Sequence, residues 1–257
     1  MLINLDCFDN NLNEIREKTI IFQLKHFPFI KMNNSEGFEG IRCGTTIMAV
    51  EYDGGVVLAA DSRTTTGRNV VNSNTDKLSR ITDRIYSGRC GSASQSEQLL
   101  EFVTDNVNFH NLAYPDSMTV QMVATMFANK IYEKRQINQV GVIVAGWDKE
   151  HGGQVYNITS AGLMLRQRAA ASGSGAISIR GLLMSRHTKN MPLNEAMELV
   201  KICTEVAISF DPFSGGHVKI AVINENGLVM RRTIPISDTM FQLSSNMLWN
   251  LEFDACK

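Results

Sequence analysis

The joint between Gly44 and Thr45 holds the most chemistry in the fewest atoms. Cutting that peptide bond makes Thr45 an N-terminal residue that carries a hydroxyl and a free α-amine. Such an amine has a pKa of about 7.7–8.0, near working pH, where a general base is most effective. It can take the hydroxyl proton, directly or through one water, so one residue supplies both nucleophile and base. Gly44 suits the position before the cut. It has no Cβ, takes tight turn geometries and leaves its carbonyl open to the Thr45 hydroxyl. The same nucleophile would then remove its own leader, residues 1–44, which blocks the amine until that moment. On the dipeptide alone, an ordinary turn ahead of a strand is the simpler explanation.

Other nucleophilic and metal chemistry leaves little trace. There is no Gly-x-Ser-x-Gly elbow, no His-Glu-x-x-His, no Walker A loop and no Gly-x-Gly-x-x-Gly. The five histidines share no motif spacing, and His110, His151 and His187 fall near helix ends or turns, where solvated structural roles are expected. Their order does not exclude a Ser-His-Asp triad, and nothing suggests one. The five cysteines, Cys7, Cys43, Cys90, Cys203 and Cys256, are scattered and form no Cys-x-x-Cys pair. That argues against a disulfide framework and a structural zinc, and for a reducing compartment. No metal or cofactor is expected.

Composition agrees with a soluble globular protein. The 257 residues are 44% hydrophobic and 20% charged, with a formal net charge of −1. No excess positive charge points to nucleic acid or an anionic membrane, and no apolar run reaches the roughly 18 residues that span a bilayer. The leader has mixed charge, lacks a secretory h-region and is too acidic for a typical mitochondrial transit peptide.

The elements that must position Thr45 follow from hydrophobic period. In the leader, one helix is expected near "NLNEIREKTIIFQL", and the remainder reads as linker. From Thr45 the chain turns β-branched and apolar. "TTIMAVEY" and "GGVVLAADSR" form a hairpin about Asp53-Gly54-Gly55, and strand-like sequence continues to "RIYSGRCG". Two helices follow. Leu99, Phe102, Val103 and Val107 keep helical spacing in the first; Val120, Val123, Phe127 and Ile131 do so in the second, with Asp116 or Ser117 as its cap. "QVGVIVAGWD", "GQVYNITSAG" and "MLRQRAAASG" read as strands, then "AISIRGLLMSR" and "PLNEAMELVKICTEVAI" as helices, with Pro192 in the first turn of the latter. A final hairpin turns at Asn226-Gly227. Blocks of consecutive strands favour antiparallel pairing. Two sheets face to face, with helix pairs outside, would bury every apolar face of one domain beginning at Thr45.

From Thr45 to about residue 237, the pieces "GTTIMAV", "DGGVVLAADSRTTTG", "TDKL", "DRI", "GSA", "AGWD…GGQVY", "SGSG" and "DPFSGGHV" recur in the order found in the catalytic β subunits of the eukaryotic proteasome core particle. The chain resembles that family over most of its length. The resemblance implies an α+β fold, the four-layer α-β-β-α sandwich of the N-terminal-nucleophile hydrolases. It implies a zymogen with a propeptide at 1–44, removed by autolysis at Gly44-Thr45, and a threonine endopeptidase domain at 45–257. It further implies partners in the α and β subunits of a stacked four-ring particle with heptameric β rings, polypeptide substrates, a part in ubiquitin-dependent degradation, and residence in cytoplasm and nucleus.

Carried across residue by residue, the family's nucleophile matches Thr45, its acid Asp61 and its lysine Lys77. Its outer shell matches Ser174, Asp211 and Ser214, and its oxyanion donor matches the N–H of Gly91. Thr65, Gly91 and Ala93 match positions that pair with an extended substrate backbone, in the manner of an added strand. Ser172 stands where relatives commonly have glycine. Arg89 matches the base of the S1 pocket, with Thr64 and Thr75 on its walls. Relatives with small or apolar residues there take basic or large hydrophobic side chains, whereas arginine resembles the caspase-like subunit, which cleaves after acidic residues. "TTIMAV", "SRTTTG" and "AGWD" point to the same member. A guanidinium can grip a carboxylate through two parallel hydrogen bonds. Two rivals stand beside this reading: a ring subunit that has lost its activity, which typically lacks the Gly-Thr joint or the lysine, and another N-terminal-nucleophile hydrolase such as an amidase, which would run as a small oligomer.

Overall fold

The computed structural model describes residues 44–67, 69–137 and 139–236; the helix expected in the leader lies outside them. Six strands come first: β1 (Thr46–Tyr52), β2 (Gly55–Asp61), β3 (Thr64–Thr66), β4 (Asn69–Asn72), β5 (Leu78–Arg80) and β6 (Ile85–Gly91). Helices α1 (Ala93–Ala113) and α2 (Val120–Glu133) follow, then β7 (Val140–Asp148), β8 (Gly152–Ile158), β9 (Met164–Gln167) and β10 (Ala169–Gly173). Helices α3 (Ala176–Arg186) and α4 (Leu193–Phe210) lead into β11 (His217–Asn224) and β12 (Gly227–Pro235). The strands form two five-stranded sheets, ordered β10-β1-β2-β11-β12 and β5-β6-β7-β8-β9, with β3 and β4 as a separate pair. Every pairing is antiparallel.

Side chains alternate across a strand, so a strand covered on both faces needs apolar residues at consecutive positions. That is why "TIMAV" and "GVVLAA" are unbroken apolar runs. Ile47, Ala49, Val56 and Leu58 point to the other sheet, where they meet Leu78, Tyr86, Ile143 and Val155. Met48, Val50, Val57 and Ala59 point outward and pack under Ile179, Leu183, Leu199, Val200 and Cys203 of α3 and α4. On the second sheet Val142, Val144, Tyr156 and Ile158 pack beneath Leu99, Val103, Val107, Val123, Phe127 and Ile131 of α1 and α2. The result is the expected α-β-β-α sandwich.

Several local expectations differ. The N-cap of α2 is Thr119, whose side chain accepts from the Met122 N–H, in place of Asp116 or Ser117. Pro192 is the N-cap of α4, one position before its first turn. The last hairpin turns at Glu225-Asn226, because Asn224 pairs with Gly227 and glycine opens β12. "MLRQRAAASG" is two strands in two sheets: β9 pairs with β8, whereas β10 pairs with β1. Phe102 keeps the helical period yet faces outward, with the Lys130 ammonium 4.4 Å above its ring centre.

That contrast gives a test. Phe127→Ala empties a fully buried site and is expected to cost about 3–5 kcal/mol. Phe102→Ala gives up an exposed ring and its cation–π contact, which is worth about 1 kcal/mol or less. Denaturant unfolding of the two variants should separate them in that order.

Candidate active site

Antiparallel pairing gathers six chain ends at one edge of the sandwich. Thr46 at the start of β1 lies opposite Gly173 at the end of β10. Ile47 lies opposite Ala60 near the end of β2, and Asp61 opposite Val218 near the start of β11. The end of β6, at Gly91, and the approach to β5, at Lys77, supply the other wall. Thr45, Asp61, Lys77, Gly91, Ser174, Asp211 and Ser214 therefore come from six separated stretches, with Asp211 and Ser214 sharing the loop before β11.

The centre of the arrangement is a buried ion pair. Lys77 Nζ donates to Asp61 Oδ1 at 2.6 Å, and both side chains are shielded from solvent. The same carboxylate accepts three backbone N–H groups: Thr46 at 2.8 Å on Oδ1, and Gly215 at 3.0 Å and Arg63 at 3.2 Å on Oδ2. Four donors satisfy the carboxylate in a place where an unpartnered polar group would be costly. Burial pushes the Lys77 pKa below its ordinary value, and the Asp61 charge offsets this only in part. Lys77 thus gives up a proton more readily than a surface lysine.

Thr45 sits beside this pair and is buried. Its Oγ1 donates to the Gly44 carbonyl oxygen at 2.6 Å, so the hydroxyl already touches the carbonyl on the leader side. Its backbone N–H donates to Ser174 Oγ at 3.1 Å, and Ser174 Oγ donates in turn to Asp211 Oδ2 at 2.5 Å. Ser214 Oγ donates to the same Asp211 oxygen at 2.7 Å. With that proton committed, the 2.8 Å contact between Ser214 Oγ and Thr46 Oγ1 has Thr46 as donor. Asp211 thus anchors two hydroxyls, one accepting from the Thr45 N–H and the other from the Thr46 hydroxyl.

Gly44 is glycine for a tighter reason than turn geometry. A Cβ there would lie 1.7 Å from Phe213 Cβ and 2.6 Å from Phe213 backbone atoms, closer than any side chain tolerates. Its N–H donates to Thr65 Oγ1 at 3.3 Å, so the hydroxyl of Thr65 holds the leader's last residue. Gly91 has φ +95°, and a Cβ there would meet the Gln139 carbonyl oxygen at 1.8 Å. Its demand for glycine comes from this φ and from the segment just before β7 that presses on it.

A cavity of about 90 Å³ opens beside Thr45. Thr64, Thr75, Arg89, Gly91 and Ala93 all line it, and the Thr64 hydroxyl donates to Thr75 at 2.8 Å. Thr65 is buried behind it and meets Gly44. Asp76, Ser96 and Glu97 also line the cavity, although the sequence reading did not single them out. Ala93, Ser96 and Glu97 follow the i, i+3, i+4 spacing of one helix face, so a helix starting at 93 carried the signal. Arg63 was overlooked too; its guanidinium donates to the carbonyls of Ser214 at 3.3 Å and Pro212 at 3.4 Å and ties down the loop that delivers Ser214. Ser172, the departure from the family pattern, places its hydroxyl 3.4 Å from Cys90 Sγ.

Both described cysteines are buried. Burial raises the Cys90 thiol pKa despite contacts from Ser172, the Gly141 carbonyl and Lys77, and pushes Cys203 up to about 12. Both are free thiols. Among the described residues no His, Cys, Asp and Glu cluster could hold a metal ion, and no helix is long and apolar enough to cross a membrane.

Known proteins supply the context. The family model for the proteasome subunit matches residues 41–223. Proteasome subunit beta type-6 of Dictyostelium discoideum is 41% identical over 192 residues, covering 75% of this chain and 89% of the relative. Proteasome subunit beta type-9 of Salmo salar is 38% identical over 189 residues, covering 74% and 87%. Proteasome subunit beta type-1 of Saccharomyces cerevisiae is 35% identical over 188 residues, covering 73% and 87%.

The donor count on Asp61 generates an ordering of stabilities. Asp61→Ala strands a buried ammonium and three backbone N–H groups, and is expected to cost about 3–5 kcal/mol. Lys77→Met leaves the carboxylate with its three backbone donors and should cost less than half of that. Denaturant midpoints of the two variants would reveal a reversed order, which would mean that the lysine and not the backbone sustains the charge.

Proposed function

This chain belongs to the proteasome subunit family, among its β-type members, and on that premise we propose that it is the precursor of a threonine endopeptidase armed by loss of residues 1–44. The observation that carries the proposal is the 2.6 Å hydrogen bond from Thr45 Oγ1 to the Gly44 carbonyl, beside the buried Lys77–Asp61 pair. In the first reaction Thr45 Oγ attacks the Gly44 carbonyl carbon as its proton leaves toward a base. The amide becomes an ester between Gly44 and Thr45 Oγ, and the α-amine is freed. Water then cleaves the ester and releases the leader.

In turnover the freed amine takes the hydroxyl proton. The Thr45 oxygen attacks the substrate carbonyl, the Gly91 N–H receives the developing oxyanion, and the departing amine takes up the proton. Water resolves the acyl ester and restores Thr45. The Lys77 ammonium supports the alkoxide as it forms. Ser174, which accepts from the Thr45 N–H in the precursor and is itself anchored by Asp211, holds the amine in turnover. Thr65 and Ala93 carry the substrate backbone once Gly44 has left.

The substrate pocket reads as one for acidic side chains. Its floor is the Arg89 guanidinium, with Thr64 and Thr75 hydroxyls on the walls. This supports cleavage after Glu or Asp in a caspase-like manner. The chain works within a particle of α and β subunits, as one member of a heptameric β ring in a four-ring stack, and takes part in ubiquitin-dependent protein degradation in cytoplasm and nucleus. The buried Lys77–Asp61 pair and the Gly44-Thr45 joint favour activity over a scaffold role. The residue that follows the cut is threonine, which disfavours a relative with a cysteine nucleophile.

Intact-mass analysis of assembled particles should find a chain beginning at Thr45 in wild type and the full leader on Thr45→Ala; trimming of the alanine chain at the same bond would end the autolysis proposal. Gly44→Ala should slow processing and leave leader attached to a measurable fraction of chains, because the added methyl cannot fit against Phe213. Arg89→Ala should lose roughly ten- to a hundred-fold in cleavage of Glu-P1 fluorogenic peptides, the scale of a charged hydrogen bond. Retention of that activity would remove the post-acidic assignment.

A further inference from the structure

The cavity beside Thr45 is lined by four charged residues, Asp76, Lys77, Arg89 and Glu97. Each already has an opposite partner. Lys77 is held by Asp61, Asp76 by Arg231, and Arg89 by Glu97. The empty pocket therefore offers an incoming carboxylate no unpaired cation.

The Arg89–Glu97 pair is built asymmetrically. The Arg89 side chain is only 9% exposed, whereas that of Glu97 is 68% exposed. Arg89 Nη1 donates to Glu97 Oε2 at 2.5 Å, while Arg89 Nε is buried with no acceptor. A guanidinium fork matches a carboxylate best through two parallel bonds, and Glu97 uses one. Among the described residues Arg89 is the one hydrogen-bonding partner of the Glu97 carboxylate. Glu97 stands on the first turns of α1, with open solvent beside it and long side-chain torsions free to turn. The cation is thus fixed and half-satisfied, and its partner is loosely held.

We propose that Glu97 is a built-in competitor for Arg89. It occupies the guanidinium in the empty pocket and swings into solvent when an acidic substrate side chain arrives. Displacement exchanges one carboxylate for another, so the net gain is the second parallel bond together with the chance to satisfy Nε. Without displacement the incoming acid meets a like charge. Glu97 therefore sets how strongly acidic residues are bound, and acts on substrate binding more than on the chemical step at Thr45. This inference rests on the post-acidic reading and specifies which residue limits it.

The test uses assembled particles carrying Glu97→Gln, Glu97→Ala or Arg89→Ala, assayed with Glu-P1 peptides and normalised to the fraction of chains that begin at Thr45. Both Glu97 variants should raise kcat/KM on Glu-P1 peptides by roughly three- to thirty-fold, mostly through a lower KM, since a competing ground-state interaction has been removed. If Arg89→Ala abolishes Glu-P1 cleavage but both Glu97 variants leave it unchanged or weaker, Glu97 is a brace for Arg89 and the competitor role is overturned while the post-acidic reading stands. If Arg89→Ala leaves Glu-P1 cleavage intact, the pocket reading falls and takes this role with it.

Discussion

The site depends on one buried charge. Asp61 ends β2 inside the sandwich and is accommodated there because four donors converge on it. Each donor belongs to a different stretch: Thr46 of β1, Arg63 after β2, Lys77 before β5, and Gly215 before β11. Satisfying one carboxylate therefore sets the relative position of four chain segments. A buried pair of this kind is weak evidence of stability, since two desolvated ions recover their cost only with good geometry. Its consequence here is positional. The ammonium that Asp61 holds lines the same cavity as Thr45, and burial has already made that ammonium easier to deprotonate.

Thr45 itself is positioned by constraints that act on backbone rather than on its side chain. Asp211 gathers Ser174 and Ser214, which in turn meet the Thr45 N–H and the Thr46 hydroxyl. On the leader side, Gly44 is pressed against the Phe213 backbone and tethered to Thr65. The scissile carbonyl is therefore held from both directions, and the Thr45 hydroxyl has a carbonyl within reach before any substrate arrives. The Thr45 hydroxyl therefore faces its own chain.

The pocket adds a balance of charge. A lone arginine at its floor would be costly to bury, and Glu97 relieves that cost without closing the site. The same economy recurs at Asp76 with Arg231 on its rim. Arg89 is shielded by a partner that is itself mostly exposed, so the charge is balanced from the solvent side.

Much of this was legible in the residues. The apolar runs of β1, β2 and β7 required cover on both faces, and the helical periods of α2 and α4 required one buried face, so the layered fold followed. The Gly44-Thr45 joint showed its latent chemistry by residue type alone. Other features had no local signature. "MLRQRAAASG" reads as one strand, because strand propensity does not tell which sheet a residue joins; only the pairing of β10 with β1 divides it. Phe102 fits the helical period and is exposed, since period fixes a face but not where its edge meets solvent. Gly44 was readable as a permissive residue, but its necessity comes from Phe213, some 170 positions away in the chain. Glu97 looked like any helix-surface acid until the fold set it against Arg89. The sequence by itself determined which groups could react and which faces had to be buried, because those depend on residue type and short-range period. Only the tertiary structure decided which charges neutralise one another, because Coulomb and hydrogen-bond partners are chosen by distance in space, and antiparallel folding brings together strand ends that the chain keeps far apart.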